Sequence, residues 1–256
     1  MMGLSMTAYG GATLDGFEDW LGRTVELGFD FVELVSEWPH FLTRKTIGVF
    51  KEATGSFNLP VTVHAPFSDV NIASFNDRIR AASLEIIRET LELSAELDAM
   101  VVTIHPGHCS PVSIRNRGRY LGIHREALWR IARWGEEYGI KVGVENMPSF
   151  PILDARTPER LAEIIDGIEI GVTFDVGHLN TTTREFDGFL RLLGNRIVHV
   201  HLHDNSGKAD EHLPPGKGTV PWEEVFPKLP PVTMALEVES LSDALSGVLF
   251  LRKIHR

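Results

Sequence analysis

Short apolar runs recur eight times along the chain, at residues 4–8, 29–35, 61–64, 100–105, 141–145, 170–175, 196–203 and 232–237, and something helical follows each one. This alternation constrains the fold more than any other feature. A strand, a helix and a second strand in succession call for parallel strands joined by right-handed crossovers. Eight such units close into a barrel, and a chain of 256 residues has the usual size of one. The expectation is an α/β protein, a single (β/α)8 TIM barrel spanning residues 1–256. An open doubly wound sheet is the alternative. It would want a Gly-rich phosphate loop after the first strand, and Gly10-Gly11 is not G-x-G-x-x-G.

The connecting segments carry their own start and stop signals. Asp15 is placed to cap a helix running to residue 27, with Phe17, Trp20, Leu21, Thr24 and Leu27 on one side. Residues 43–54 and 76–97 read as helices, the second with Leu84, Ile87, Leu91 and Leu97 along one stripe. Residues 117–138 form another, closed by Gly139 as a left-handed cap. Thr157-Pro158-Glu159 opens a helix to residue 165, with Pro at the first helical position. Shorter helices are expected at 185–193, 222–226 and 240–254.

The strand ends carry the chemistry. In order they read His64, His105, Glu145, Asp175, His201 and Glu237. Side chains alternate faces along a strand. If these six point into the barrel, so do Thr62, Thr103, Gly143, Thr173, His199 and Ala235, most of them small or hydroxyl-bearing. The opposite faces then carry Val61 and Val63, Val102 and Ile104, Val142 and Val144, Val172 and Phe174, Val198 and Val200, Met234 and Leu236, which suit packing against helices. Barrel active sites lie at the C-terminal ends of the strands, so these groups converge on one mouth.

The densest stretch, 197–218, reads IVHVHLHDNSGKADEHLPPGKG. It adds Asp210 and His212 to the constellation, and Asp175-Val-Gly-His178 adds a second candidate ligand, His178, three residues after Asp175. Clustered carboxylates either raise one another's pKa or recruit a cation. Imidazole nitrogens mixed with carboxylate oxygens, without thiolate, suit Zn²⁺, Mn²⁺, Co²⁺ or Fe²⁺ better than Ca²⁺. His108 lies near enough to His105 to reach the mouth, whereas His40, His124 and His255 read as surface residues.

Composition excludes several classes. A formal net charge of −10 argues against broad binding to nucleic acid or anionic membranes. Cys109 is the only cysteine, which rules out an intrachain disulfide and a Cys-type zinc site. No apolar run reaches membrane-spanning length and the N-terminus does not read as a secretory signal, so a cytoplasmic enzyme is expected.

The segments VHAPFSDVNIAS (63–74), TIHPGH (103–108), VGVENMP (142–148), GVTFDVGH (171–178), HVHLHDN with ADEHLPPGKG (199–218) and ALEVES (235–240) resemble, in order and spacing, the xylose-isomerase-like TIM barrel superfamily. That group includes sugar and sugar-phosphate isomerases and epimerases and the endonuclease IV (AP endonuclease family 2) enzymes. The resemblance to the epimerases implies one divalent ion held by Glu145, Asp175, His201 and Glu237. Glu145 and Glu237 would be the acid/base pair that moves a proton through an enediolate. The resemblance to endonuclease IV implies up to three zinc ions, with further ligands at His64, His105, His178, Asp210 and His212, and phosphodiester hydrolysis at abasic sites in DNA. The chain departs from that second pattern. Ser5 stands where the nucleases place a histidine, Asn-Met-Pro-Ser follows Glu145, and no loop interleaves basic and aromatic residues.

The expected activity is therefore a metal-dependent sugar or sugar-phosphate isomerase or epimerase, with zinc or manganese and one to three ions. DNA enters as substrate only under the nuclease alternative. His203, Lys217 and Asn146 are expected to read or support the substrate, and Trp20, Trp38 and Phe41 are candidates for an interface between copies.

Overall fold

A computed structural model describes residues 1–254, so His255 lies outside the described residues. Eight parallel strands form one closed barrel in sequence order: β1 Met2–Ser5, β2 Phe31–Val35, β3 Val61–His64, β4 Val101–Ile104, β5 Lys141–Glu145, β6 Gly171–Asp175, β7 Ile197–Leu202 and β8 Thr233–Leu236. β8 pairs with β1, with Gly3 opposite Ala235, which closes the ring. The helices are α1 Phe17–Glu26, α2 Ile47–Ser56, α3 Asp77–Glu96, α4 Pro111–Arg115, α5 Arg117–Tyr138, α6 Pro158–Ile165, α7 Val176–Asn180, α8 Phe186–Leu193, α9 Trp222–Val225 and α10 Leu241–Ile254.

The alternation rule holds strand by strand. Val32, Leu34, Val63, Val102, Ile104, Val144, Val172, Phe174, Val200 and Leu236 are buried in the layer between barrel and helices. That layer also takes the inner faces of the helices, such as Leu84, Ile87 and Leu91 of α3. The barrel interior is polar and tightly filled. Thr103 and Thr173 face each other with their Oγ1 atoms 2.8 Å apart. Gly143 lies beside them, where a Cβ would fall 2.2 Å from Thr173 Oγ1. At the bottom Phe31 fills the space that Gly3 leaves open, since a Cβ on Gly3 would sit 2.3 Å from its ring.

Three local expectations are corrected. The first strand is Met2–Ser5, and Met6–Ala8 curl into a 3₁₀ turn. β1 finds partners only as far as Ser5, level with Glu33 of β2. The N-cap of α1 is Gly16, without a side-chain cap, because the Asp15 carboxylate takes the Thr13 hydroxyl instead. α2 starts at Ile47, not at 43, because Thr43 and Thr46 bond each other ahead of the helix. Elsewhere the signals hold. Asn76 caps α3 through Arg78 N and Ile79 N, Thr157 caps α6, and Gly139 ends α5 with φ +70°.

Candidate metal centre and active site

The three histidines of the β7 edge form a ladder up the barrel axis. His199 is deepest, with Nδ1 2.7 Å from Thr233 Oγ1 and Nε2 3.0 Å from Glu33 Oε2. His201 comes next. Its Nε2 meets the same Glu33 oxygen at 3.2 Å, and its Nδ1 lies 2.7 Å from Glu145 Oε1. Asp175 Oδ2 and Glu237 Oε2 are each 3.7 Å from that Nδ1. The sequence-selected residues Glu145, Asp175, His201 and Glu237 are therefore gathered around one point.

Glu145 is engaged on both oxygens. Oε1 faces His201, while Oε2 accepts from His105 Nε2 at 3.0 Å and from His64 Nε2 at 3.4 Å. Burial pushes its carboxyl up, but the His201 charge and the bonds from His105, His201 and His64 outweigh burial and hold it well below the ordinary range. Burial likewise pulls His201 down, and the charges of Glu237, Glu33 and Glu145 reverse this and raise it well above the imidazole range. Burial dominates at His105 and Glu237, as it does at His199, which it lowers. His105 falls to about 4, and the Glu237 carboxyl is raised despite the attraction of His201 and His212. Glu237 makes no side-chain hydrogen bond among the described residues; its Oε2 lies 3.7 Å from His201 Nδ1.

A second cluster faces the loop after β7. The Asp175 carboxylate caps α7 through His178 N at 2.6 Å, which turns the His178 ring into the mouth. His178 Nδ1 bonds the Asn146 carbonyl at 2.8 Å, which leaves Nε2 directed at Asp210 Oδ2, 3.1 Å away. His212 Nε2 is 3.4 Å from the same oxygen. The loop can return there because Asp204 ties its base together, accepting from Gly216 N, Val220 N and Trp222 Nε1. Asn146 exchanges bonds of 2.9 Å with the backbone N–H and C=O of Asp175.

The residues fit a divalent ion. Asp175 Oδ2 is buried without a hydrogen-bond partner, although it lies 3.7 Å from both His201 Nδ1 and His178 Nδ1. An unmet buried carboxylate oxygen among converging donors is a group a cation satisfies. The donors are nitrogen and oxygen only, and five groups of three or more side chains have ligand atoms within 4.8 Å of one another.

Other expectations move. His203, expected to face the substrate, is fully buried, as is Asp204 beside it. Lys217 is exposed. His108 is held through its backbone by Asn71 and by a bridge to Leu153. His124 is wholly buried on the inner face of α5, beneath Tyr120 and near Asp154, and His40 is half-buried against Tyr9. Trp20 is buried too, so of the three interface candidates only Trp38 and Phe41 are exposed.

Two contributors escaped the sequence reading. Glu33 is fully buried below the site and holds His199, His201 and Thr62 together. Its signal was available in the alternation of β2, where Val32 and Leu34 take the helix-facing side and leave Glu33 to the barrel interior. The other is Phe67, whose ring stacks on His105 at 4.6 Å and meets His64 edge-on. Its backbone N–H is held by Glu37, a contact with no sequence signal.

A closed parallel barrel with ionisable groups massed at the C-terminal end defines a TIM-barrel enzyme whose buried His, Asp and Glu clusters could hold a metal ion. The chain belongs to the xylose isomerase-like TIM barrel family, whose profile matches residues 21–253. It is 38% identical over 240 residues to an uncharacterised protein of Methanocaldococcus jannaschii, covering 90% of this chain and 82% of that one. It is 30% identical over 208 residues to the probable endonuclease 4 of Mycobacterium bovis (strain BCG / Pasteur 1173P2), covering 75% of this chain and 77% of that one. A solved structure of a D-tagatose 3-epimerase-like protein superposes with a TM-score of 0.90 at 35% identity, covering 99% of this chain and 96% of that chain. No helix among the described residues is long and apolar enough to cross a membrane.

Proposed function

We propose that this chain is a divalent-metal-dependent isomerase or epimerase that moves a proton at the carbon beside the carbonyl of a sugar or sugar phosphate. One observation carries the reading. Glu145, Asp175, His201 and Glu237 converge, and Glu237 is the member left without a hydrogen bond and with a raised carboxyl pKa. A proton carrier needs a free oxygen and a pKa nearer the working pH. The likeness to a D-tagatose 3-epimerase-like protein over nearly the whole chain supports the same reaction class.

The roles follow from the contacts. Asp175 and His201 are fully committed to holding the ion, with Glu33 fixing His201 from below. When bound, the ion polarises the carbonyl and hydroxyl oxygens of the substrate. Glu237 takes the proton. Glu145 is the second group of the pair, and for it to exchange a proton its Oε1 must give up His201. The oxygen-rich tetrad suits manganese as well as zinc.

A specific observation also favours a second reading, phosphoester hydrolysis on a multinuclear centre. Glu145 turns one oxygen to His64 and His105 and the other to His201, as a bridging carboxylate would. His178, Asp210 and His212 supply further donors. The 30% identity to an endonuclease 4 agrees with it.

Incubation of the metal-loaded enzyme with a panel of ketoses and ketose phosphates in deuterium oxide separates the two. Exchange of deuterium into the carbon beside the carbonyl, lost in Glu237→Gln, is expected. Cleavage of an abasic-site duplex with no exchange into any sugar establishes the hydrolase instead.

A further inference from the structure

Outside the metal centre lies a second polar cavity, of about 440 Å³, set between the loops after β4 and β5 and the first turns of α5 and α6. None of the donors at the barrel mouth lines it, and the proposed reaction makes no use of it. A bridge between His108 and Leu153, and a bond from Cys109 N to the Ile152 carbonyl, tie its two loops together. Its charge is one-sided. Arg117, Arg156 and Arg160 line it with Asp154 and Glu163, and Arg160 alone takes up both carboxylates. Its Nε and Nη2 donate to Asp154 at 2.8 and 2.6 Å, and its Nη1 donates to Glu163 at 2.6 Å. Arg117 and Arg156 are exposed, and neither guanidinium has a hydrogen bond or ion pair among the described residues. Two positive charges are thus left over here, in a chain of net charge −10.

Donors of two other kinds border the same space. Helix α5 is 22 residues long and begins at Arg117. Its N-cap, Asn116, gives no side-chain cap, because its amide turns back to the Val112 carbonyl at 2.8 Å, and the first turn holds no acidic residue. A positive helix end with neither cap nor carboxylate favours an anion. Gly118, in that first turn, lines the cavity, and a Cβ there would meet nothing within 4 Å, so open space lies against the backbone. Tyr120 is only 3% exposed and still lines the cavity. Its hydroxyl accepts a weak bond from the Cys109 thiol at 3.6 Å, and its own proton has no acceptor among the described residues. A buried hydroxyl that lacks an acceptor is costly until something supplies one.

We propose that this cavity binds a phosphate group, held by Arg117 and Arg156, the N-terminus of α5 and the Tyr120 hydroxyl. Two free guanidiniums match the two charges of a phosphate better than the single charge of a carboxylate, and its several oxygens can meet donors arriving from different sides. The volume is of the size that holds a small organic molecule. Ile114, Leu121 and Leu153 give it an apolar wall, so a phosphate monoester fits as well as free phosphate. The occupant is a second molecule beside the substrate. It bears on the reaction through the walls of its own site, because the two loops run on from His105 and Glu145. The inference stands apart from the choice between isomerase and hydrolase.

The test titrates the full chain with inorganic phosphate, with ribose 5-phosphate and with ribose, followed by calorimetry and by amide NMR shifts. Both phosphates are expected to bind and to shift the amides of Gly118 and Tyr120, and ribose is expected to do neither. Arg117→Gln and Arg156→Gln should each weaken phosphate binding by about tenfold or more, the loss of one hydrogen bond to a charged group. Both side chains are exposed, so the variants should keep the wild-type unfolding temperature. Tighter binding of ribose 5-phosphate assigns the site to a phosphorylated small molecule, and equal binding of the two assigns it to free phosphate; either supports the proposal. No phosphate binding to the wild type, unchanged affinity in both variants, or shifts confined to the strand ends around His201 and Glu237 overturn it.

Discussion

Replacing Glu33 by Gln probes the site from below, through a residue that touches neither substrate nor ion. Both imidazole contacts, at 3.0 and 3.2 Å, end on the same oxygen, Glu33 Oε2. A carboxylate only accepts, so His199 and His201 each present an Nε2 proton to it, and His201 Nδ1 is left for the tetrad. A glutamine with its carbonyl oxygen at that position keeps the geometry but makes the acceptor neutral. Bonds to charged acceptors are roughly twice as strong as neutral ones, so two weakened bonds amount to about 2 kcal/mol. The glutamine NH₂ then falls where Glu33 Oε1 now lies buried without a partner, and an unmet buried donor adds about 1–3 kcal/mol to the cost of folding. The expected outcome is a folded protein less stable by about 3–5 kcal/mol. Its central ion should bind about 10- to 100-fold more weakly. Urea unfolding gives the first number, and manganese or zinc competition with a chelator gives the second. Heteronuclear NMR of the metal-free protein checks the cause, because the Glu33 charge helps to raise the His201 pKa and His201 should lose its proton at lower pH in the variant. Unchanged metal affinity together with an unchanged His201 titration would refute the reasoning.

Three further perturbations reach other parts of the account. Glu237→Gln should lower turnover by about 10²–10⁴-fold while the protein stays folded, and steady-state kinetics with a deuterium-exchange readout check it. Gly143→Ala forces a Cβ to within 2.2 Å of Thr173 Oγ1 and 3.0 Å of the Thr173 backbone, so thermal unfolding should show a loss of about 3 kcal/mol or more. Asp154 is a buried carboxylate gripped by Arg160 through two bonds; burial raises its pKa, but Arg160 and His124 outweigh burial and hold it low. A depressed carboxylate contributes stability above its unfolded pKa and loses it as pH falls through the folded value. Asp154→Asn should therefore cost about 2–4 kcal/mol near neutral pH, with the gap to wild type closing below about pH 4 in a series of denaturation curves.

The barrel was legible because its two faces obey different chemistry. Val61, Val63, Val142 and Val144 alternate with Thr62, His64, Gly143 and Glu145, and period-two alternation survives any uncertainty about where a strand starts. Starts were harder. Met2 and Gly3 lack the look of a strand, yet Gly3 is demanded by the Phe31 ring across from it, a contact between distant residues. His64, Glu145, Asp175, His201 and Glu237 come together because strand ends and barrel mouths coincide, and His105 reaches Glu145 from the same end. His203 was harder to place, since its burial depends on how Asp204 folds the following loop back over it. His124 shows a legible signal that was passed over. Tyr120, His124, Leu128 and Ile131 fall on one helical stripe, and that stripe faces inward.

The central claim is that a divalent ion is held by Glu145, Asp175, His201 and Glu237. Crystals of protein purified without chelators, or loaded with manganese or zinc, allow anomalous difference maps at the absorption edge of each metal. The account predicts a strong peak among these four side chains, within bonding distance of His201 Nδ1 and Asp175 Oδ2. A metal-replete crystal with no peak there, and His201 still bonded directly to Glu145, would contradict it.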